Sequence, residues 1–154
     1  MTDDDARRRF AEARVARLAT ADGNGHPHVV PMTFVLASGT DAGVAYAGKK
    51  YSGDTVYSAI DAKPKRSPSM RRLANITANP RVAVVVDHYE DDWRALWWVR
   101  ADGTGRLLAT DDPEGRLAIT RLMARYPQYR DQPPCGPVVA IDVIRWSSWS
   151  AAGD

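Results

Sequence analysis

The sequence predicts a mainly β protein: an antiparallel β-barrel with peripheral helices. Three observations predict it. Apolar runs with strand character recur along the chain, helix signals are confined to two or three short stretches, and strands and helices do not alternate as a doubly wound parallel sheet requires. At 154 residues the chain is expected to form a single domain, residues 1–154, with one apolar core.

The first element is a helix. Thr2 precedes Asp3, Asp4 and Asp5, and Arg7, Arg8 and Arg9 follow, a charge order matched to the helix dipole; it is expected to end near Arg14. Residues 15–20 read as a first strand and residues 28–36 as a second, with Val30, Met32, Phe34 and Leu36 on one face. Asp22, Gly23, Asn24 and Gly25 between them form the turn of a hairpin. Residues 44–47 suggest a short strand before Gly48, Lys49 and Lys50, and residues 54–60 another. Ser67 and Pro68 then open a helix in which Met70, Leu73 and Ile76 recur every three residues, until Asn79 and Pro80 stop it. Residues 81–87 form an apolar β run. Residues 97–108 read as a strand pair or one long bent strand, interrupted at Asp102, Gly103, Thr104 and Gly105. The clearest helix is capped by Asp112 and starts at Pro113, with Ala118, Ile119, Leu122, Met123 and Tyr126 at helical spacing on a core-packing face. Residues 138–144 form the final strand and lead into Trp146 and Trp149.

Charge is segregated. The net charge is only +2, yet Lys63, Lys65, Arg66, Arg71 and Arg72 crowd one stretch without an acidic residue, while Asp87, Glu90, Asp91 and Asp92 form an acidic loop. Arg71 and Arg72 fall near a helix N-terminus, where the dipole disfavours cations; a bound phosphate resolves that conflict. A solvated cationic face accounts for the local composition equally well. Segregated charge suits a local anion site better than a nucleic-acid track, and no nucleic-acid-binding motif is present. No apolar run reaches the roughly 18 residues that span a bilayer, and no signal-peptide core is seen, so a soluble, cytoplasmic protein is expected. Cys135 is the sole cysteine, which excludes an internal disulfide.

No nucleophile–base pair can be assembled. His26 and His28 lack a third ligand at metal-binding spacing, so no metal site is expected. His88, beside the acidic loop, is the candidate for proton transfer. The glycines at 23 and 25 make a turn, not a dinucleotide fingerprint. Five tryptophans suit core or interface packing, or an aromatic wall for a planar cofactor. A phosphate site without a catalytic constellation points to a cofactor that brings its own chemistry.

The order of motifs resembles the pyridoxamine-phosphate-oxidase-like split β-barrel superfamily, which includes FMN-binding members, and particularly its actinobacterial branch dependent on the deazaflavin coenzyme F420. The resemblance rests on Arg17-Leu18-Ala19-Thr20, Gly25-His26-Pro27-His28-Val29-Val30-Pro31-Met32, Val56-Tyr57-Ser58-Ala59-Ile60-Asp61, Lys63-Pro64-Lys65, Arg72-Leu73-Ala74-Asn75-Ile76 and Asn79-Pro80-Arg81-Val82-Ala83. Asp87-His88-Tyr89, Trp93 and Trp97-Trp98-Val99-Arg100 are similar to one subgroup of that branch. It implies a homodimer with cofactor grooves between subunits and an F420-dependent oxidoreductase that passes hydride to a small organic acceptor. Arg71 and Arg72 would meet the cofactor phosphate, and Lys63 and Lys65 the phosphate or the oligoglutamate tail. Backbone around Val30, Met32 and Thr33, with Tyr57 and Ser58, would border the ring, and Trp146 would be contributed across the dimer. The same groove could hold FMN in an oxidase or flavin reductase, or serve a non-enzymatic carrier or sensor. Ala62 and the long segment 37–53 depart from the subgroup's pattern.

Overall fold

A computed structural model describes residues 1–38, 52–60 and 69–153, with backbone alone for residues 69 and 70. The expected strand at 44–47, the loop at Gly48, Lys49 and Lys50, the Ser67-Pro68 helix start, and Lys63, Lys65 and Arg66 lie outside the described residues.

Seven strands form one antiparallel sheet: β1 (Ala16–Ala21), β2 (Pro27–Met32), β3 (Val35–Ala37), β4 (Thr55–Ala59), β5 (Arg81–His88), β6 (Trp97–Leu108) and β7 (Val138–Ser150). Their order across the sheet is β2-β1-β5-β6-β7-β4-β3. The two edge strands, β2 and β3, are separated in the chain by Thr33 and Phe34 alone. A two-residue link cannot span an open seven-stranded sheet, because strands lie about 4.8 Å apart and a residue reaches at most about 3.6 Å. The sheet must therefore curl until its edges adjoin, giving a barrel split along a seam between β2 and β3. The mainly antiparallel barrel expected from the sequence is the fold observed.

Among the described residues four α-helices surround the sheet: α1 (Asp3–Glu12), α2 (Ser69–Ala78), α3 (Pro113–Arg125) and a single turn, α4 (Gln128–Asp131). Thr2 caps α1 by accepting from the Asp5 amide, and Asp112 caps α3 by accepting from the amides of Glu114 and Gly115. Residues 97–108 form one strand rather than a pair. β6 shifts register against β7 at Asp102 and Gly103, where a Cβ on Gly103 would lie 2.4 Å from the Asp142 carbonyl oxygen. The expected single strand over 28–36 is two strands broken at Thr33 and Phe34.

The barrel interior is apolar: Phe10, Leu18, Phe34, Val56, Val84, Val86, Val99, Ile141 and Val143 are fully buried in it. Each such side chain contributes about 1.5–3 kcal/mol by leaving water. A second cluster joins the outside of β4 and β7 to α3 and α4 through Tyr57, Ala118, Leu122, Tyr126, Tyr129 and Val138. The expected apolar face of α3 is this packing surface.

Candidate functional site

The seam is a problem in hydrogen bonding, because the break at Thr33 and Phe34 interrupts the ladder and leaves backbone groups to be satisfied by side chains. The residues that close α3 do so. The Phe34 amide donates to the Tyr126 hydroxyl (3.1 Å), and that hydroxyl reaches the carbonyls of Phe34 (2.9 Å) and Arg14 (3.0 Å) with its single proton. Arg125 donates to the Phe34 carbonyl (2.7 Å) and to that of Ala13, and its guanidinium lies over the Phe34 ring. Desolvation pulls the Arg125 pKa below its usual value, but that value is so high that the cation persists. Phe34 is thereby locked into the core, edge-on to Phe10.

One residue earlier, three hydroxyls converge. Ser58 on β4 donates to the Thr33 carbonyl (2.7 Å), and the Thr33 hydroxyl shares a hydrogen bond with the Tyr129 hydroxyl of α4 (2.7 Å). Beside them lies a cavity of about 220 Å³, walled by Pro31, Met32 and Thr33 on one edge strand, by Ser58 and Ala59 across the seam, and by Val15, Tyr129 and Arg72. Arg72 sits in the first turn of α2 and is half-buried, whereas Arg71 beside it is exposed. The helix thus turns one of the two arginines into the cavity and the other outward. Among the described residues the wall is a cation, three hydroxyls and apolar surface, with no carboxylate.

The sequence-derived candidates therefore separate. Met32, Thr33, Ser58 and Arg72 share the cavity. Val30 packs on the barrel core. Tyr57 faces α3, opposite to Ser58 on the same strand as the pleat requires, and burial together with the nearby Glu114 carboxylate raises its phenol pKa. Trp146 stands elsewhere: its indole N–H donates to Asp54 (2.8 Å), a buried carboxylate that also accepts from Arg7 (2.9 Å), and its ring meets Phe10 edge-on. His88 ends β5 at the surface, 2.7 Å from Glu90 and stacked on Trp97, outside the cavity lining. His26 pairs with Asp22 in the hairpin turn. Among the described residues no group of three His, Cys, Asp or Glu is placed to hold a metal. Tyr129 was missed by sequence reasoning, since Thr33, with which it hydrogen-bonds, is 96 residues away; Val15 was likewise not marked.

A family model described as pyridoxamine 5'-phosphate oxidase matches residues 2–150. The chain belongs to this family. Solved structures agree in fold. A conserved hypothetical protein of Mycobacterium tuberculosis is 19% identical, with TM-score 0.67, covering 98% of this chain and 86% of that one. A FAD-binding protein of Mesorhizobium loti is 21% identical, with TM-score 0.66 and coverage of 96% and 94%. The heme storage protein HutZ of Vibrio cholerae is 16% identical, with TM-score 0.64 and coverage of 96% and 93%. No curated protein matches the chain at a significant level.

The cavity fits part of a flavin-type cofactor and not the whole. Its volume falls below the roughly 300–1,000 Å³ of sites that enclose a drug-sized ligand. A guanidinium and hydroxyls around a small space suit a phosphate group.

Proposed function

We propose that the chain is an F420-dependent oxidoreductase in which the seam cavity anchors the cofactor phosphate and the ring lies in a groove completed by a second copy of the chain. The observation that carries the reading is the half-buried Arg72 in the wall of a cavity that Thr33, Ser58 and Tyr129 also line, with no carboxylate among the described lining residues. Bound F420 supplies the hydride itself, because its deazaflavin has carbon at the flavin N5 position. The chain's residues bind and orient: Arg72 holds negative charge, Thr33 and Ser58 fix the approach, and Pro31 and Met32 form an apolar border that limits water. Lys63 and Lys65, from the same basic stretch, are assigned to the phosphate or acidic tail, and Trp146 to the partner's groove. His88 is left without a role at the cavity.

The second reading is an FMN- or FAD-binding member of the family, favoured by the likeness to the Mesorhizobium loti protein. Titrating apo-protein in parallel with F420 and FMN, by tryptophan fluorescence and calorimetry, separates the two. Preference for F420, followed by oxidation of its reduced form on adding electron-poor acceptors, supports the proposal. Preference for FMN transfers the protein to the flavin reading. Tight F420 binding with no turnover of any acceptor makes it a carrier or sensor.

A further inference from the structure

The ladder between β1 and β2 ends at Ala16 and Met32, and the cavity lies at that end. Beyond the last rung the chain runs without regular structure at residues 13–15 and 33–34, yet Val15 and Thr33 both wall the cavity. Irregular backbone keeps its place only as far as its polar groups are held. Here two consecutive residues at the end of α3 hold them. Arg125 donates to the carbonyls of Ala13 and Phe34, and the Tyr126 hydroxyl reaches those of Arg14 and Phe34 while accepting from the Phe34 amide. Arg14 returns the contact, donating to the Arg125 carbonyl (3.2 Å) and lying over the Tyr126 ring (4.8 Å to its centre). The same pair carries α4, because the Tyr129 amide donates to the Tyr126 carbonyl (3.0 Å) and the two rings meet edge-on. Three walls from distant parts of the chain thus share one fastening, and neither Arg125 nor Tyr126 is among the lining residues.

We propose that Arg125 and Tyr126 are positioning residues for the cavity: without touching the ligand, they fix the walls at Val15, Thr33 and Tyr129 relative to one another and so set its affinity. A looser fastening lets the walls take further arrangements, and apparent affinity falls with the fraction of molecules in the competent one. The planar fork of an arginine serves two carbonyls at once, whereas a lysine keeps the charge but presents it at a single point. By linkage, a ligand that needs the walls in place steadies the fastening in return. The inference rests on the reading of the cavity as the ligand site, but not on which cofactor fills it.

The test has a wild-type arm and a variant arm. In wild type, saturation with whichever of F420 or FMN binds more tightly should slow hydrogen exchange of the Phe34 amide, which lies outside the lining. Arg125→Lys and Tyr126→Phe, checked for native circular dichroism, should each bind that cofactor about three- to tenfold more weakly, the worth of one ordinary hydrogen bond. Without any ligand, both should show new exchange broadening of the Val15 and Thr33 methyl signals in NMR relaxation measurements. Arg106→Ala, which removes a structural ion pair away from the cavity, should lower the melting temperature and change neither affinity nor broadening. If Tyr126→Phe fails to fold, Arg125→Lys decides alone. Full affinity in a folded variant, quiet methyl signals, or an unchanged Phe34 amide in the saturated wild type overturns the proposal. If neither cofactor binds wild type, the proposed function falls and the methyl signals decide this inference. Tight cofactor binding that the clamp variants leave intact does the reverse.

Discussion

Two polar clusters flank β4, and they differ in what they leave open. On the α3 side, Arg106 is closed by carboxylates: both oxygens of Glu114 (2.5 and 2.7 Å) and both of Asp142 (2.7 and 3.1 Å) accept from it. Those partners push the Arg106 pKa above its usual value, and Thr55 donates to Asp142 as well. At the seam, Arg72 lines a cavity with hydroxyls and apolar surface, and no carboxylate is among its described lining residues. The charge of Arg106, neutralised by Glu114 and Asp142, fastens α3 to β6 and β7; Arg72 lines a cavity, and the proposed function gives it a ligand's negative charge to hold.

Three substitutions sharpen this contrast. The largest effect is expected from Arg106→Ala, which leaves Glu114 and Asp142 confronting each other. Breaking a buried pair costs about 3–5 kcal/mol; partial exposure here reduces that to about 2–3 kcal/mol, seen as a lower melting temperature with cofactor affinity unchanged in the folded fraction. Arg72→Ala should act chiefly on the ligand, weakening cofactor binding roughly ten- to hundredfold, or about 1.5–3 kcal/mol, in calorimetric titration of the folded protein. Arg71→Ala, at an exposed position, should change affinity several-fold less; equal losses at 71 and 72 would erase the distinction between the two arginines.

Smaller effects probe the clamp and the outer cluster. Tyr126→Phe strips the Phe34 amide of its acceptor and should cost about 1–3 kcal/mol in urea unfolding, with loss of order at the seam. The Tyr57 phenol is raised above its ordinary value of 10.0 by burial first and by Glu114 second. A raised folded pKa means that the unfolded chain releases its proton first. The stabilisation is complete below pH 10 and declines as pH rises through the folded value. Tyr57→Phe should therefore flatten the loss of stability above about pH 10, read from thermal melts across that range; an unchanged alkaline limb would place the sensitive group elsewhere.

Most of the barrel was legible because its signals are local. Thr2 and Asp112 cap helices from within their own first turns, and the apolar runs of β5 and β7 exceed what turns or helices would produce. The break between β2 and β3 was not legible. Val30, Met32, Phe34 and Leu36 alternate as one strand would, and only Tyr126 and Arg125, some 91–92 residues away, supply the hydrogen bonds that let the chain leave one sheet edge for the other. The four-residue α4 is too short for periodicity to register, and with it Tyr129 escaped notice. The basic stretch suggested an anion site, but not which arginine lines the cavity. That depends on the rotation of α2 against the sheet, which is set by Asn75 donating to Thr20 and by the burial of Ile76. Trp146 shows the same limit from the other side: its ring environment, Asp54 and Phe10, is assembled from three distant parts of the chain.

The measurement that tests the central claim most directly is a crystal structure of the protein with whichever of F420 or FMN it binds more tightly. The phosphate is expected in the cavity at the β2–β3 seam, within hydrogen-bonding distance of Arg72 and the Thr33 hydroxyl, with the ring system outside it. A phosphate bound elsewhere, with Arg72 and the three hydroxyls touching no part of the cofactor, would contradict the account.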